Sequence, residues 1–258
     1  MAMNHLSAIG FPVSSEEDFN KLVAEMIKHE AQVWKTPTGG KYARIHDSST
    51  GAELWFYLDP ADNVVGLSPH FHGFSKLRSK IWEKEPSEFS EFDGGYFHCW
   101  AIPKFDDDSE FPYMFNSPDY LWNRIELGEE YDIQLAGFPH SVRCYDSAED
   151  FDIQRQSELN LASRAFIPVG SFIPKRGRED IHPDSTALLT GIIKSINQRK
   201  NQFTGVAFLV LRVQTLCGEL DIVLLREWLQ TEPKVGGIVE GIFWLSGKVW
   251  ADKDGHGD

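Results

Sequence analysis

Residues 186–250 read TALLTGIIKSINQRKNQFTGVAFLVLRVQTLCGELDIVLLREWLQTEPKVGGIVEGIFWLSGKVW, and this stretch decides the fold. Apolar alternation bounded by turn formers predicts strands at Ala187–Ile196, Thr204–Thr215 and Gly218–Leu225. Arg226–Gln230 reads as a helical turn, and Gly236–Trp250 as a final strand run. Ala207, Leu209, Leu211 and Val213 share one face of the second strand, and Phe208, Val210 and Arg212 share the other. In the last run Val239, Phe243, Leu245 and Val249 alternate with Glu240, Ile242, Trp244, Lys248 and Trp250. With the first set of each inside a small barrel, the exterior carries Phe208, Arg212, Trp244, Lys248 and Trp250.

Three strands, a helical turn and a strand pair make an OB-like order. Aromatic side chains beside cations are what such folds use to hold oligosaccharides or single strands. The five exterior residues are therefore candidate binding residues. The competing reading docks this face on the rest of the chain, because a two-domain protein needs an apolar contact between its parts. Docking is the favoured of the two.

Upstream, His5–Val13 reads as a first strand and Ser14–Trp34 as a helix. Ser14 and Glu17 stand at capping-box spacing, and Phe19, Leu22, Val23, Met26 and Ile27 form one apolar face. Short strands follow at Lys41–Asp47, Ala52–Leu58 and Asn63–Phe71, which gives a βαβββ order. Phe74–Lys84 reads as a helix, Gly95–Phe105 as a strand and Asp106–Asp119 as an acidic loop. Tyr131–Phe138 and Ser141–Tyr145 read as two strands, and Ser147–Leu161 as a helix. The stretch Ala8–Phe19 is echoed at Ala136–Phe151, each with a Gly-Phe-Pro and then a capping serine. Pro168, Gly170, Pro174, Gly177 and Pro183 mark 166–185 as a linker or strap. The expected class is α+β: a mixed domain over 1–165, an OB-like barrel over 186–250 and a disordered tail over 251–258.

The chain has 258 residues, enough for one large domain or two modest ones. Its net charge of −14 argues against a general nucleic-acid binder, which needs a basic footprint. Within 186–250 seven cations face five carboxylates, so the acidic excess lies upstream and in the tail. Three cysteines without CxxC spacing, Cys99, Cys144 and Cys217, give neither a disulfide framework nor a zinc knuckle. Met1–His5 lacks a basic start and an apolar run, and the longest apolar run, Val206–Leu211, is too short to span a bilayer. These features predict a cytoplasmic protein without a membrane partner.

Ser171-Phe172-Ile173-Pro174, Thr190-Gly191-Ile192-Ile193, Asn201, Thr204-Gly205, Gly218 to Val223, Gly237 and Phe243 to Gly247 resemble a family of bacterial cytosolic proteins of unknown function. That resemblance implies a shared fold and carries no activity. The N-terminal βαβββ order is similar in topology to half of a vicinal-oxygen-chelate module. In that superfamily a metal ligand sits near the start of the first strand, where this chain has His5.

His70 and His72, two apart on a strand, share one face with Cβ atoms roughly 7 Å apart, a usable spacing for metal ligands. His98 on another strand is a candidate third ligand for a divalent metal ion. The plainer alternative is a pair of polar residues at a strand end. Asp106, Asp107, Asp108 and Glu110 form a carboxylate run without the glycine and distal glutamate of a calcium loop, so it reads as a solvated loop. Gly241–Lys248 has the wrong spacing for a phosphate loop, and no nucleophile elbow, HExxH or GxGxxG occurs.

The leading expectation is a non-catalytic binding protein that needs no cofactor and holds a small ligand or a protein partner, a basic one on charge grounds. The alternatives are a metal-dependent enzyme using His5, His70, His72 or His98, and an oligosaccharide or single-strand binder on the OB-like face.

Overall fold

The computed structural model describes residues 3–102, 111–154, 161–169 and 184–250. The carboxylate run at 106–108 and 110, most of the expected linker and the tail lie outside these residues. The described chain is mostly strand with a few short helices. No helix among the described residues is long and apolar enough to cross a membrane.

The first strand expected at His5–Val13 is instead a short helix, α1 (His5–Ala8). Asn4 caps it by accepting a hydrogen bond from Ser7 N at 2.8 Å. A turn at Gly10 (φ +84°) then reverses the chain. A side chain at Gly10 would place its Cβ 2.8 Å from that of Asn201, so both the turn and the close approach require glycine.

Helix α2 (Glu16–Met26) starts one residue later than its sequence spacing suggests. Ser15 accepts from Asp18 N at 3.1 Å, and the Ser14 hydroxyl returns a bond to the Asp18 carboxylate at 2.6 Å. The same construction opens α3 (Ala148–Gln154), where Ser147 accepts from Asp150 N at 3.1 Å and Asp146 N donates to the Asp150 carboxylate. The echo between the two sequence stretches is therefore an echo of helix caps. Helix α2 ends at Met26, well short of the expected Trp34, and Trp34 belongs to β1 (Gln32–Lys35). With β2 (Lys41–Asp47), β3 (Ala52–Leu58) and β4 (Val64–Phe71), it makes a four-stranded antiparallel meander. Among the described residues no strand precedes α2, so the βαβββ order is not formed.

The expected helix at Phe74–Lys84 is strand β5 (Leu77–Pro86). Leu77, Ser79 and Ile81 point to the core at a period of two. Ser79 hid that period in the sequence, and its hydroxyl is satisfied inside by Tyr113 Oη at 2.7 Å. β6 (Gly95–Ala101) follows, then β7 (Phe111–Ser117) in part of the expected acidic loop. The two strands expected over 131–145 are one long strand, β8 (Glu130–Tyr145). It carries a bulge at His140, between the pairs Ile242–Ser141 and Phe243–Pro139. The remaining strands are β9 (Ala165–Pro168), β10 (Thr186–Lys200), β11 (Ala207–Gln214), β12 (Glu219–Leu224) and β13 (Ile238–Val249). A 3-10 turn at Arg226–Trp228 links the last two.

Strands β8 and β13 pair along nearly their whole length and are shared by two closed circuits of pairing. One circuit runs β5–β6–β7–β13–β8 and returns to β5. The other runs β10–β11–β12–β8–β13 and returns to β10. Each has one parallel pair, β7 with β13 and β12 with β8, and all other pairs are antiparallel. Each also has a one-residue bulge in its first strand, at Trp82 and at Lys194. One hydrophobic core runs through both circuits and the N-terminal sheet, from Phe56 and Phe71 through Phe97 and Phe115 to Leu211 and Phe243.

Candidate binding face and the polar seam beside it

The exterior face read from 186–250 is covered by the chain's own N-terminal elements. Phe208 is 1% exposed and meets the Phe71 ring edge to face at 6.3 Å. Arg212 lies beside Asp221 at 3.5 Å, and the Asp221 carboxylate accepts from Ser75 N. Trp244 stacks flat on the His5 ring of α1 at 4.5 Å. Burial and the neighbouring His140 pull the His5 imidazole down to a pKa of about 4.

Lys248 and Trp250 meet His70 and His72 in a polar seam between the N-terminal sheet and the β8–β13 pair. At its centre is Glu53 on β3, whose side chain is fully buried. Its carboxylate receives Arg44 Nη1 at 3.1 Å, Trp55 Nε1 at 2.7 Å and Lys248 Nζ at 3.4 Å, with His46 Nδ1 at 3.1 Å. Burial opposes its charge, but Lys248, His46, His70 and Arg44 together hold the carboxyl well below its ordinary range. The Arg44 guanidinium also lies over the rings of Trp34 and Trp55, at 5.4 and 5.7 Å. Glu53 thus ties the two layers through charge-assisted bonds, and its sequence alternation gave no sign of that.

The candidate metal ligands do not converge. His70 is buried, and both ring nitrogens are engaged, with Ser246 Oγ at 2.8 Å and Gln134 Oε1 at 2.9 Å. Burial drives its pKa down to about 3, against the nearby Glu53 charge, so the ring is neutral. His72 lies 5.9 Å from the His46 ring and 5.6 Å from Trp250. His98 is on β6, in the other sheet, and bonds Glu85 at 2.8 Å. No group of three or more His, Cys, Asp or Glu among the described residues has a metal-holding arrangement.

An aromatic face that the sequence reading missed lies on β5 and β6. Trp82, thrown outward at the β5 bulge, is 40% exposed. Its ring centroid is 5.3 Å from His98 and 6.3 Å from Trp100. His98 and Trp100 are two apart on β6, so they share the outer face with Trp82, while Phe97, Cys99 and Ala101 fill the core. The spacing of His98 and Trp100 was visible in the sequence, but Trp82 was hidden inside a misassigned helix.

A separate cleft of about 440 Å³ opens over β8 and β13, walled by His140, Arg143, Leu188, Trp228, Glu240 and Ile242. In it Tyr145 Oη donates to the buried Glu240 carboxylate at 2.7 Å. Trp228 Nε1 is buried without a hydrogen-bond partner among the described residues.

No family model, curated protein or solved structure matches this chain.

Proposed function

We propose that the protein is a non-catalytic binding protein built on two OB-like barrels that share two strands, and that it holds its partner on the outer face of β5–β6–β7. In each circuit the strands follow the order 1-2-3-5-4-1, with strands 3 and 5 parallel. In the first circuit β5, β6, β7, β8 and β13 serve as strands one to five. In the second, β10, β11, β12, β13 and β8 do. The bulge in strand one of both, at Trp82 and at Lys194, supports the equivalence.

OB-like barrels present ligands to the outer side of strands two and three. In the second circuit this side, with Phe208, Val210, Arg212 and Asp221, is filled by the chain's own N-terminal sheet. In the first circuit the corresponding side carries His98 and Trp100 on strand two, beside Trp82 on strand one, which is 40% exposed. This contrast carries the reading, and the face filled by the chain's own polypeptide supports a polypeptide partner for the open one. The groups best suited to chemistry are otherwise engaged. Both His70 nitrogens and all of the Glu53 carboxylate are bonded. The three thiols are buried, and burial raises their pKa values.

Panning a random-peptide display library on the folded protein, with Trp82→Ala for counter-selection, tests the reading. Sequences should enrich on the wild type and fail to be retained by the variant. No enrichment, or equal retention by the variant, would overturn it.

A further inference from the structure

We propose that the partner of this face presents an arginine- or lysine-bearing segment, one cation of which stacks on Trp82 while Glu126 and Glu129 meet its charge. The proposal rests on the binding reading above and names the class of partner.

The turn Glu126–Glu130 lies directly beside the Trp82 bulge. Gly128 N donates to Ile81 O at 2.7 Å, and Ile81 N donates to Glu129 O at 3.1 Å. All five residues of the turn are exposed, with Leu127 55% accessible. The carboxylates of Glu126 and Glu129 make no ion pair among the described residues. Glu130 and Asp132, by contrast, are taken by Arg78 at 3.2 and 3.6 Å. Glu85 is taken by His98. Lys80 and Arg124 are the nearby cations without an ion pair among the described residues.

The Trp82 and Trp100 rings, with exposed Leu127 and two carboxylates on the adjoining turn, have the composition of an interface hot spot. The charge around it selects the occupant. A polyanion would be repelled by this edge and by the net charge of −14, whereas a basic segment is steered toward both. The molecule already makes this contact inside itself, where Arg44 lies over Trp34 and Trp55 and Lys248 lies over Trp55, both bonding Glu53. The outer face offers the same elements, indole and carboxylate, with no cation over the Trp82 ring among the described residues.

The test uses a fluorescein-labelled oligoarginine peptide, with oligoglutamate of equal length as the control, read by anisotropy at low and high salt. The wild type should bind oligoarginine with an affinity that falls as salt rises, and should not bind oligoglutamate. Trp82→Ala should weaken binding by about tenfold, and Trp82→Phe should retain most of it. Glu126→Gln with Glu129→Gln should weaken binding and flatten its salt dependence. Each variant is checked by circular dichroism, and none alters a buried group. The proposal is overturned if the wild type does not bind, or if Trp82→Ala and the double glutamine variant bind as the wild type does. Display selection separates the two ideas. Enriched sequences without basic residues would remove this inference and leave the binding face, whereas no enrichment at all would remove both.

Discussion

Acidification should destabilise the protein through His70, and the size of the effect follows from where the ring sits. His70 is buried between β4 and the β8–β13 pair, with Ser246 and Gln134 on its two nitrogens. Glu53 faces it and favours a proton, while Lys248 and His72 oppose one. Burial is the largest influence, and with Lys248 and His72 it outweighs Glu53 and sets the folded pKa at about 3. An unfolded imidazole titrates at about 6.5. Between those values the unfolded chain takes a proton that the folded one refuses, so stability rises with pH through this window. The contribution is complete above about pH 6.5 and is lost steadily toward about pH 3. At pH 5 the ring lies about 1.5 units below its unfolded pKa. At about 1.4 kcal/mol per unit, that costs about 2 kcal/mol relative to neutral pH. Urea melts at pH 7.5 and pH 5, followed by tryptophan fluorescence, measure the loss for the wild type and for His70→Gln. Glutamine keeps a donor and an acceptor but has no titration there. The variant should lose about 2 kcal/mol less than the wild type over this interval. His5, with a folded pKa of about 4, acts in the same direction and remains in both proteins, so the difference isolates His70. Equal losses in the two proteins would refute the argument.

Phe208→Ala should cost about 3–5 kcal/mol in the same melts, as a buried aromatic does, whereas a cost below about 0.5 kcal/mol would mean that the face is free. Glu53→Gln should cost about 3–5 kcal/mol, because Arg44 and Lys248 keep their charges at a half-closed seam without a counter-charge. A differential scanning trace within a degree of the wild type would show that the seam contributes nothing. Gly10→Ala should destabilise by at least about 1 kcal/mol from its left-handed backbone and the approach of Asn201. Trp228→Phe should be neutral or stabilising to within about 1 kcal/mol, since the indole N–H it removes has no partner. A larger loss would mean that this N–H is bonded in solution.

Strands β2 and β3 follow the sequence reading residue for residue, because short turns with clear turn formers close both ends. Elsewhere a single core residue of the wrong type hid the period. Ser79 made β5 look helical, since Leu77 and Ile81 are also four apart, and Pro139 split β8 into two. Asn4 as a cap outweighed a short apolar alternation and made α1 a helix. The strand that joins β12 to β13 in the second circuit lies upstream, in β8, about 100 residues from its partner β13. Local patterning says nothing about such partners, because hydrophobic alternation specifies a face and not a neighbour. The same limit applied to the sites. Lys248, Trp250, His70 and His72 were each visible, but Glu53 and Arg44, which bring them together, looked like ordinary outward residues of a meander. Phe208 and Arg212 were read on the correct face, and that face is covered.

Because β8 and β13 each belong to both circuits, neither circuit can be completed without β13. During synthesis β5, β6, β7 and β8 emerge first and must wait, with the edges of β7 and β8 unpaired, until residues 238–249 arrive. Fragments cut between β9 and β10 leave each half short of a strand, and the missing strand is the one the other half holds. Two such halves, expressed as separate chains, should therefore recognise each other as cognate pieces, and a chain opened in this region offers the same exchange to a second copy of itself.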